Sequence, residues 1–204
     1  MKIAVIGTGG WGKNHLRVLY ELGSLAAFCD VDSSRVSKFQ KEYGVKGYTS
    51  IEELLRDENL DGVTICTPTS THYEIAEKTI SLGLHTFVEK PLTVSAAEGE
   101  KLVIQANNKK IKLSAGYIER FNPAVTELKS MLRSGKLGEP LLLEFHRENR
   151  WPTHIKDIGI IADTSVHDID TARWLFESEP KVVFARAGKV LSQNEDFAAI
   201  ILGF

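Results

Sequence analysis

The first residues whose spacing suggests chemistry form a glycine-rich turn near the start of the chain. An apolar run at residues 3–6 leads into a G-x-G-x-x-G pattern made of Gly7, Thr8, Gly9, Gly10, Trp11 and Gly12. In a strand–turn–helix unit the first glycine permits a tight turn, the second lets a pyrophosphate approach the backbone, and the third lets helix and strand pack closely. The helix N-terminus also attracts phosphate. The turn therefore predicts a dinucleotide site, although the pattern is weak evidence when it stands alone.

An acidic residue follows the G-x-G-x-x-G pattern at the position where dinucleotide-binding proteins bind the ribose. Asp30 ends a second apolar run at residues 25–29, at roughly the expected distance of about 20 residues from the turn. Its carboxylate would bind the ribose hydroxyls and repel a 2′-phosphate, which predicts NAD rather than NADP as the cofactor. Arg35 would weaken this preference if it turned toward the ribose. The alternative role for Asp30 is a helix cap, but Asp32 and Ser33 already supply that chemistry.

Polar residues that follow three further apolar segments are predicted to share one rim. Ligands of open parallel sheets bind outside the carboxyl ends of the strands. The residues selected in this way are Thr67, Pro68, Thr69 and His72, then Glu89, Lys90 and Pro91, then Gly116 and Tyr117. Lys90 is notable because it stands directly after an apolar run and before a proline. The alternative is that Lys90 is an ordinary surface lysine, which is the commonest situation for that residue.

A second polar group lies in a helix predicted for residues 163–176. Asp163 and His167 are four residues apart and therefore share a helix face, with Asp170 about one turn further along. Histidine suits proton transfer near neutral pH. A metal site made from this polar stripe is a rival interpretation, but three ligands on one straight helix converge poorly on a tetrahedral ion. A hydrogen-bonded structural histidine is the simplest alternative.

The elements that must position these residues alternate between strands and helices as far as residue 115. Strands are predicted at 3–6, 25–29, 47–48, 62–66, 84–88 and 111–115, with helices at 33–43, 51–56 and 74–82 and another that Ser95 opens. Such alternation indicates an α/β fold with right-handed crossovers. We therefore predict a Rossmann-type, doubly wound parallel sheet that forms a dinucleotide-binding domain over residues 1–118.

Residues 119–204 lose this rhythm and predict a short α+β domain with an open sheet, which would bind the substrate. A helix starts at Asn122 and Pro123, strands are predicted at 141–148, 181–191 and 197–204, and the helix at 163–176 lies between them. The last strand is apolar, and an unprotected apolar edge invites pairing with another chain. We therefore expect a homo-oligomer formed through this sheet, most simply a dimer.

Composition excludes several classes of protein. The chain of 204 residues is 43% hydrophobic and 25% charged with a formal net charge of −2, so it offers no electrostatic reason to bind nucleic acid or an anionic membrane. No apolar run approaches the roughly 18 residues that a membrane-spanning helix needs, and the first strand leaves no room for a secretory signal. We expect a cytoplasmic protein without a structural disulfide, because Cys29 and Cys66 form no C-x-x-C pattern.

Five motifs in one order resemble the glucose/fructose oxidoreductase, inositol dehydrogenase and rhizopine catabolism family, Gfo/Idh/MocA. They are residues 7–12, 67–73, 88–91, 116–124 and 163–170, and the resemblance covers almost the whole chain. It implies a dehydrogenase that transfers a hydride between nicotinamide and a secondary alcohol of a sugar, cyclitol or nucleotide sugar. It also implies that Lys90, Asp163 and His167 form the catalytic set and contact the substrate. His167 would remove the hydroxyl proton, Lys90 would bind the same oxygen, and Asp163 would orient the substrate.

The resemblance is less specific about the substrate. Residues 150–159 are similar to those of nucleotide-sugar 3-dehydrogenases of the family, which act on UDP-N-acetylhexosamines. Arg147 and Arg150, with His146, could meet a diphosphate, since guanidinium suits bidentate contact with phosphate. The predicted substrate-binding residues are Lys90, Tyr117, Arg120, Arg147, Arg150, Asp163 and His167. Free sugars and inositols remain alternative substrates.

Two features depart from the family pattern. Its usual glycine cluster is reduced to Gly159, and family members generally continue through a larger open sheet, so the second domain is expected to be incomplete. A regulator or remnant of the family that binds a dinucleotide without turning over a substrate is therefore the alternative function.

Overall fold

The structure, a computed structural model, describes residues 1–148 and 157–204, which divide into units at 1–116 and 117–204. The first unit is built on strands β1 (Ile3–Ile6), β2 (Leu25–Cys29), β3 (Lys46–Tyr48), β4 (Gly62–Ile65), β5 (His85–Val88) and β6 (Leu113–Ala115). All five neighbouring pairs are parallel, in the order β3-β2-β1-β4-β5-β6. This order is typical of dinucleotide-binding sheets, so the predicted Rossmann-type fold is confirmed.

Five helices connect these strands and cover the sheet. They are α1 (Gly12–Glu21), α2 (Ser33–Tyr43), α3 (Ile51–Asp57), α4 (His72–Ser81) and α5 (Ala96–Lys109). One core cluster includes Leu16 of α1 and Phe39 of α2 packed on Phe28 of β2. A larger cluster buries Ile65 with apolar residues from α3, α4 and α5. The apolar strands are thus buried between helices, as a parallel sheet requires.

The register of the sheet aligns the carboxyl ends of its strands. Ile6 of β1 is paired with Cys29 on one side and with Ile65 on the other. Ile65 is paired with Val88, and Val88 with Ala115. Because these last strand residues are level, the loops that follow them start from one edge of the sheet.

Two helix starts follow from local hydrogen bonds. Asp32 accepts from the backbone N–H groups of Ser34 and Arg35 at 2.9 and 3.4 Å, so it caps α2. Ser95 and Glu98 form a reciprocal capping box at the start of α5. Asp32 supplies the cap that was the alternative role for Asp30, which leaves Asp30 available for other contacts.

The second unit contains helices and one small sheet. A 3₁₀ turn (Ile118–Phe121) precedes α6 (Pro123–Arg133), and a π-helical segment (Ile161–Ser165) runs into α7 (Val166–Phe176). The strands β7 (Val182–Gly188) and β8 (Phe197–Gly203) form an antiparallel pair. None of the helices in residues 1–148 and 157–204 is long and apolar enough to cross a membrane.

The strand predicted for residues 141–148 is wrong. These residues have no regular secondary structure, and Leu141 is 94% exposed. A strand needs a neighbour that completes its backbone hydrogen bonds, and no strand in the described part of the chain pairs with this segment. Of the three strands predicted in residues 119–204, only the two that pair with each other, β7 and β8, are present in the described residues.

Candidate functional site

Two glycines of the turn after β1 are required by the backbone. Gly7 has φ +86°, and a Cβ there would lie 2.8 Å from the carbonyl group of Cys66. A Cβ on Gly12 would lie 1.9 Å from the carbonyl oxygen of Gly7. A side chain at Gly12 would therefore separate the start of α1 from the turn, which is the close packing that the sequence pattern predicted.

The other two glycines leave space above the turn. A Cβ on Gly10 would meet no atom within 4 Å, and a Cβ on Gly9 would meet only Arg35 Nη1, at 3.6 Å. Trp11, at the N-cap of α1, is 51% exposed. The backbone of Gly9 and Gly10 is thus open to a ligand next to a helix N-terminus, which fits a pyrophosphate. The residues present therefore fit the dinucleotide that the pattern predicts.

Asp30 lies beside this turn at the end of β2. Its Oδ2 accepts from both the backbone N–H and the hydroxyl of Thr8 at 2.7 Å, and its Oδ1 accepts from the backbone N–H of Asp32 at 2.9 Å. Burial raises the pKa of the Asp30 carboxyl, but these hydrogen bonds and the nearby Arg35 guanidinium together hold the pKa below its usual value. A carboxylate offers about four acceptor positions, and Arg35 Nη1, at 3.5 Å from Oδ2, takes the fourth. A ribose hydroxyl would therefore bind Asp30 by replacing the long Arg35 contact.

The loop after β4 carries the next predicted residues. Thr71 donates its hydroxyl hydrogen within the loop, with Thr67 Oγ1 and the Pro68 carbonyl oxygen both at 2.8 Å. Thr69 is buried, whereas Pro68 is exposed. His72 begins α4 and is only 1% exposed. Its Nε2 lies 2.9 Å from the Thr67 carbonyl oxygen and its Nδ1 lies 2.8 Å from the Pro91 carbonyl oxygen.

The loop after β5 places Lys90 between two anchored residues. Glu89 is buried and accepts from Nε2 of His15 at 2.7 Å and from the backbone N–H of Lys90 at 3.2 Å. Pro91, on the other side, is buried and contacts His72 through its carbonyl oxygen. Lys90 itself is partly exposed. His15 was not among the predicted residues, since a polar residue in the first turn of α1 has no distinguishing pattern.

These residues of the first unit meet at one edge. The turn after β1, Asp30 after β2, Thr67 near the end of β4 and Glu89 with Lys90 after β5 all follow the level carboxyl ends of the strands. Gly116, after β6, is close to the same group, because a Cβ on Gly116 would lie 2.9 Å from Glu89 Oε2. The edge combines an open glycine turn, a carboxylate and a lysine, which can hold a dinucleotide and donate a hydrogen bond to a reacting oxygen.

Asp163 and His167 lie at the junction of the π-helical segment and α7. The Asp163 carboxylate accepts from the hydroxyl of Thr164 at 3.1 Å, and both Asp163 and His167 are partly buried. The segment from Ile161 to Ser165 is wider than an α-helical turn, and such π-bulges occur frequently at functional sites. The sequence predicted a plain helix here, because spacing alone does not reveal a wider turn.

Asp170, the third residue of the predicted polar stripe, is paired within the protein. Asp170 is 3% exposed and accepts from Nε and Nη2 of Arg120 at 2.7 and 2.6 Å. This bidentate pair uses the charge of Arg120, which was predicted to bind substrate. Tyr117 lies in the same electrostatic environment: burial raises its pKa, and Asp170 raises it further, against Arg173 and Arg120. Sequence spacing cannot show which carboxylate of a helix meets an arginine from 50 residues away.

Arg147 is held by carboxylates of the same unit. Its Nε lies 2.9 Å from both carboxylate oxygens of Asp168, and its Nη2 lies 3.5 Å from Glu119 Oε1. Asp168 directly follows His167, so this pair fixes α7 next to the predicted base. Arg150, the other arginine predicted to meet a diphosphate, lies outside the described residues.

A buried lysine that no sequence pattern indicated fixes the end of α7. Lys129 of α6 is 4% exposed, and its ammonium group donates to the carbonyl oxygens of Trp174 and Leu175. It also forms an ion pair of 2.7 Å with Glu177. A cation at a helix C-terminus satisfies the last carbonyls and interacts favourably with the helix dipole. Within residues 1–148 and 157–204, no three His, Cys, Asp or Glu side chains are grouped to hold a metal ion.

Comparison with known proteins identifies relatives of the chain. It is 31% identical to UDP-N-acetylglucosamine 3-dehydrogenase of Acidithiobacillus ferrooxidans, with 97% of this chain and 61% of that protein aligned. It is also 31% identical to myo-inositol 2-dehydrogenase of Thermotoga maritima, with 100% and 65% aligned. The chain therefore spans less than two thirds of the length of either relative.

A solved structure agrees with these relatives. An oxidoreductase from Agrobacterium radiobacter, crystallised in complex with NAD⁺, L-tartaric acid and magnesium, is 25% identical and superimposes with a TM-score of 0.88. The alignment covers 99% of this chain and 62% of that chain. It includes both the six-stranded sheet and the second unit.

Two family models together match most of the chain. The model of the Gfo/Idh/MocA oxidoreductase family, described as an NAD-binding Rossmann fold, matches residues 1–117. The model of the Gfo/Idh/MocA C-terminal domain matches residues 125–204. The open glycine turn, the carboxylate at the end of β2 and the order of the strands agree with that description. The predicted family and the NAD-type cofactor are thereby confirmed: the chain belongs to the Gfo/Idh/MocA family of oxidoreductases with an NAD-binding Rossmann fold.

Proposed function

We propose that this chain is an NAD-dependent dehydrogenase that oxidises a secondary alcohol of a sugar, cyclitol or nucleotide sugar. The observation that carries the proposal is the edge of the first unit, where the open turn at Gly9 and Gly10, Asp30 and Lys90 follow the carboxyl ends of strands in one parallel sheet. Gly9 and Gly10 would hold the pyrophosphate and Asp30 the adenosine ribose. The bound nicotinamide would accept the hydride, which is chemistry that the protein side chains do not supply.

Three side chains would act on the substrate. His167 would remove the proton of the reacting hydroxyl. Lys90 would donate a hydrogen bond to the same oxygen and stabilise the negative charge that develops on it. Asp163 would orient the substrate. Tyr117, Arg120 and Arg147 are further proposed contacts, although Arg120 and Arg147 are each paired with a carboxylate of α7.

That pairing bears on the class of substrate. A diphosphate needs an arginine whose charge is available, whereas Arg147 already lies between Asp168 and Glu119. An uncharged sugar or cyclitol makes no such demand, because its hydroxyl groups carry no charge that must be neutralised. The contacts of Arg147 therefore favour a polyol, while a nucleotide sugar requires Arg150 or a rearranged Arg147.

The function is tested in two steps. Trp11 borders the proposed pyrophosphate site, so binding of NADH should quench tryptophan fluorescence in the wild type and quench it less in a Trp11→Phe variant. Substrates are then screened by nicotinamide absorbance, with myo-inositol and UDP-N-acetylglucosamine as the first two. Reduction of NAD⁺ by either supports the proposal. Binding of NADH without turnover of any sugar would instead identify a non-catalytic dinucleotide-binding protein, and absence of binding would contradict both functions.

We predict that Asp30 sets the choice between NAD and NADP. Replacing Asp30 with serine should bring the Kd for NADPH close to that for NADH, because the carboxylate that repels the 2′-phosphate is removed while Arg35 remains nearby. Calorimetric titration of both cofactors measures the change, with Asp57→Ser as the control because Asp57 ends α3 and contacts Lys46 and Arg56 rather than Arg35. The assignment is wrong if the wild type already binds both cofactors equally.

We further propose that the second unit self-associates through its sheet. Val183 and Phe184 of β7 and Ile201 of β8 are 63%, 67% and 67% exposed, so the hairpin presents apolar side chains to solvent. A two-stranded sheet is marginal without a covering surface, and a second copy would provide one.

Light scattering should therefore give a dimer for the wild type at low micromolar concentration and a monomer for Phe184→Glu. Val190→Glu is the matched control, because Val190 is even more exposed than Phe184 but lies outside both strands. A monomeric wild type that binds no hydrophobic dye would contradict the proposal.

A further inference from the structure

His72 has no ring nitrogen left for a ligand, although it lies at the predicted rim. The ring is 1% exposed, and each nitrogen lies within 2.9 Å of a backbone carbonyl oxygen. Carbonyl oxygens only accept hydrogen bonds, so the ring donates to Pro91 when Nδ1 carries the hydrogen and to Thr67 when Nε2 carries it. His72 therefore contacts the backbone of two loops rather than a cofactor.

The two carbonyl groups belong to different loops at the same edge of the sheet. Thr67 lies in the loop between β4 and α4, and Pro91 lies in the loop between β5 and α5. β4 and β5 are neighbours with parallel register, so His72 links two adjacent loops across the carboxyl ends of their strands. Pro91 directly follows Lys90, and the link therefore holds the residue next to the lysine through its carbonyl group.

The opposite side of Lys90 is fixed by a separate contact. Glu89 accepts from the backbone N–H of Lys90 and also from Nε2 of His15 in α1. The backbone of Lys90 is thus held on one side through Glu89 and on the other through Pro91. In the described part of the chain, His72 also contacts the loop of Thr67, whereas Glu89 does not connect Lys90 to that loop.

We propose that His72 is a positioning residue that fixes Lys90 through Pro91 and fixes the cofactor loop through Thr67. The proposal rests on the proposed function, because it assigns Lys90 to the reacting oxygen and Thr67 to the cofactor. Catalysis depends on placement, and an error of about 1 Å can reduce a rate by about 10²-fold. The two nitrogens therefore serve two separable tasks: Nδ1 supports turnover, and Nε2 supports cofactor binding.

Two amide variants separate these tasks. The amide nitrogen of asparagine reaches as far along the side chain as Nδ1 of histidine, and that of glutamine reaches as far as Nε2. His72→Asn keeps a donor for Pro91 and should retain kcat within about tenfold while the Kd for NADH rises. His72→Gln keeps a donor for Thr67 and should retain the Kd while kcat falls by about 10²-fold. His72→Phe keeps an aromatic ring without donors and should lose both.

His85→Phe is the matched control. His85 belongs to the same unit but begins β5, at the amino end of the strand, where its Nδ1 accepts from the backbone N–H of Lys112 at 3.0 Å. The same substitution there should leave kcat and the Kd for NADH unchanged. A purely structural role for His72 would lower kcat and cofactor affinity together in the asparagine and glutamine variants, and that outcome would overturn the proposal.

Hydrogen exchange keeps the test independent of the reaction. In His72→Phe, amides in residues 67–71 and 88–94 should exchange faster than in the wild type, while those of β1 and β2 should not change. Unchanged exchange in both loops would overturn the proposal even if the enzyme turns over a sugar. Faster exchange in a protein that turns over no substrate would support the link between the loops and contradict only the proposed function.

Discussion

Replacing His167 with asparagine is expected to lower kcat by about 10²- to 10⁴-fold, the usual contribution of a positioned general base. Asparagine keeps hydrogen-bonding capacity at this place but cannot take up the proton of the reacting hydroxyl. The rate is measured with the substrate that the screen identifies. The Kd for NADH should change little, because His167 is not assigned to the adenosine half of the cofactor.

Replacing Lys90 with methionine should have an effect of the same kind. The side chain keeps a similar length, but the hydrogen bond to the reacting oxygen is lost, and removal of one such donor typically costs about 10²- to 10³-fold in kcat. His85→Asn is the control for both variants, since His85 lies at the opposite end of β5. Losses below about tenfold in both His167→Asn and Lys90→Met would contradict the catalytic assignment.

Replacing Arg120 with leucine is expected to destabilise the second unit by about 3 kcal/mol. Asp170 is almost fully buried, and Arg120 holds both of its carboxylate oxygens. Without Arg120 the carboxylate stays buried and loses its charged partner, which costs more than the pair contributes when intact. Urea unfolding followed by circular dichroism measures the change in the free energy of unfolding.

Two variants isolate the buried charge as the cause. Arg173 forms an equivalent bidentate pair with Glu179, at 2.7 and 2.6 Å, but Glu179 is exposed. Arg173→Leu should therefore have little effect on stability, because exposed ion pairs contribute little. The double variant Arg120→Leu with Asp170→Leu should recover much of the loss, since it removes both charges. If Arg173→Leu destabilises as strongly as Arg120→Leu, the explanation by burial is wrong.

The parallel sheet and the residues at its rim could be predicted from sequence because the signals are local. An apolar strand, a glycine turn and a helix start are encoded within a dozen residues, as in Ile3–Ile6 followed by Gly7 and Gly12. Parallel strands joined by right-handed crossovers then have few possible arrangements. The residues that follow each strand consequently share one edge, and so Asp30, Thr67 and Lys90 could be grouped from the sequence.

The partners of the polar side chains depended on tertiary structure. His72 was predicted to face the cofactor, but the fold places carbonyl oxygens of two separate loops against its ring nitrogens. Asp170 was predicted to extend a polar stripe, but the turn before α6 brings Arg120 to it. In the same way, the apolar segment at 141–148 has no neighbouring strand in the described part of the chain. Burial and hydrogen-bond partners arise between residues far apart in sequence, whereas spacing reports only on neighbours along one helix or strand. The sequence by itself therefore determined the family, the sheet and the positions of the candidate residues. Only the packing of distant segments decided which of their side chains bind other groups of the protein.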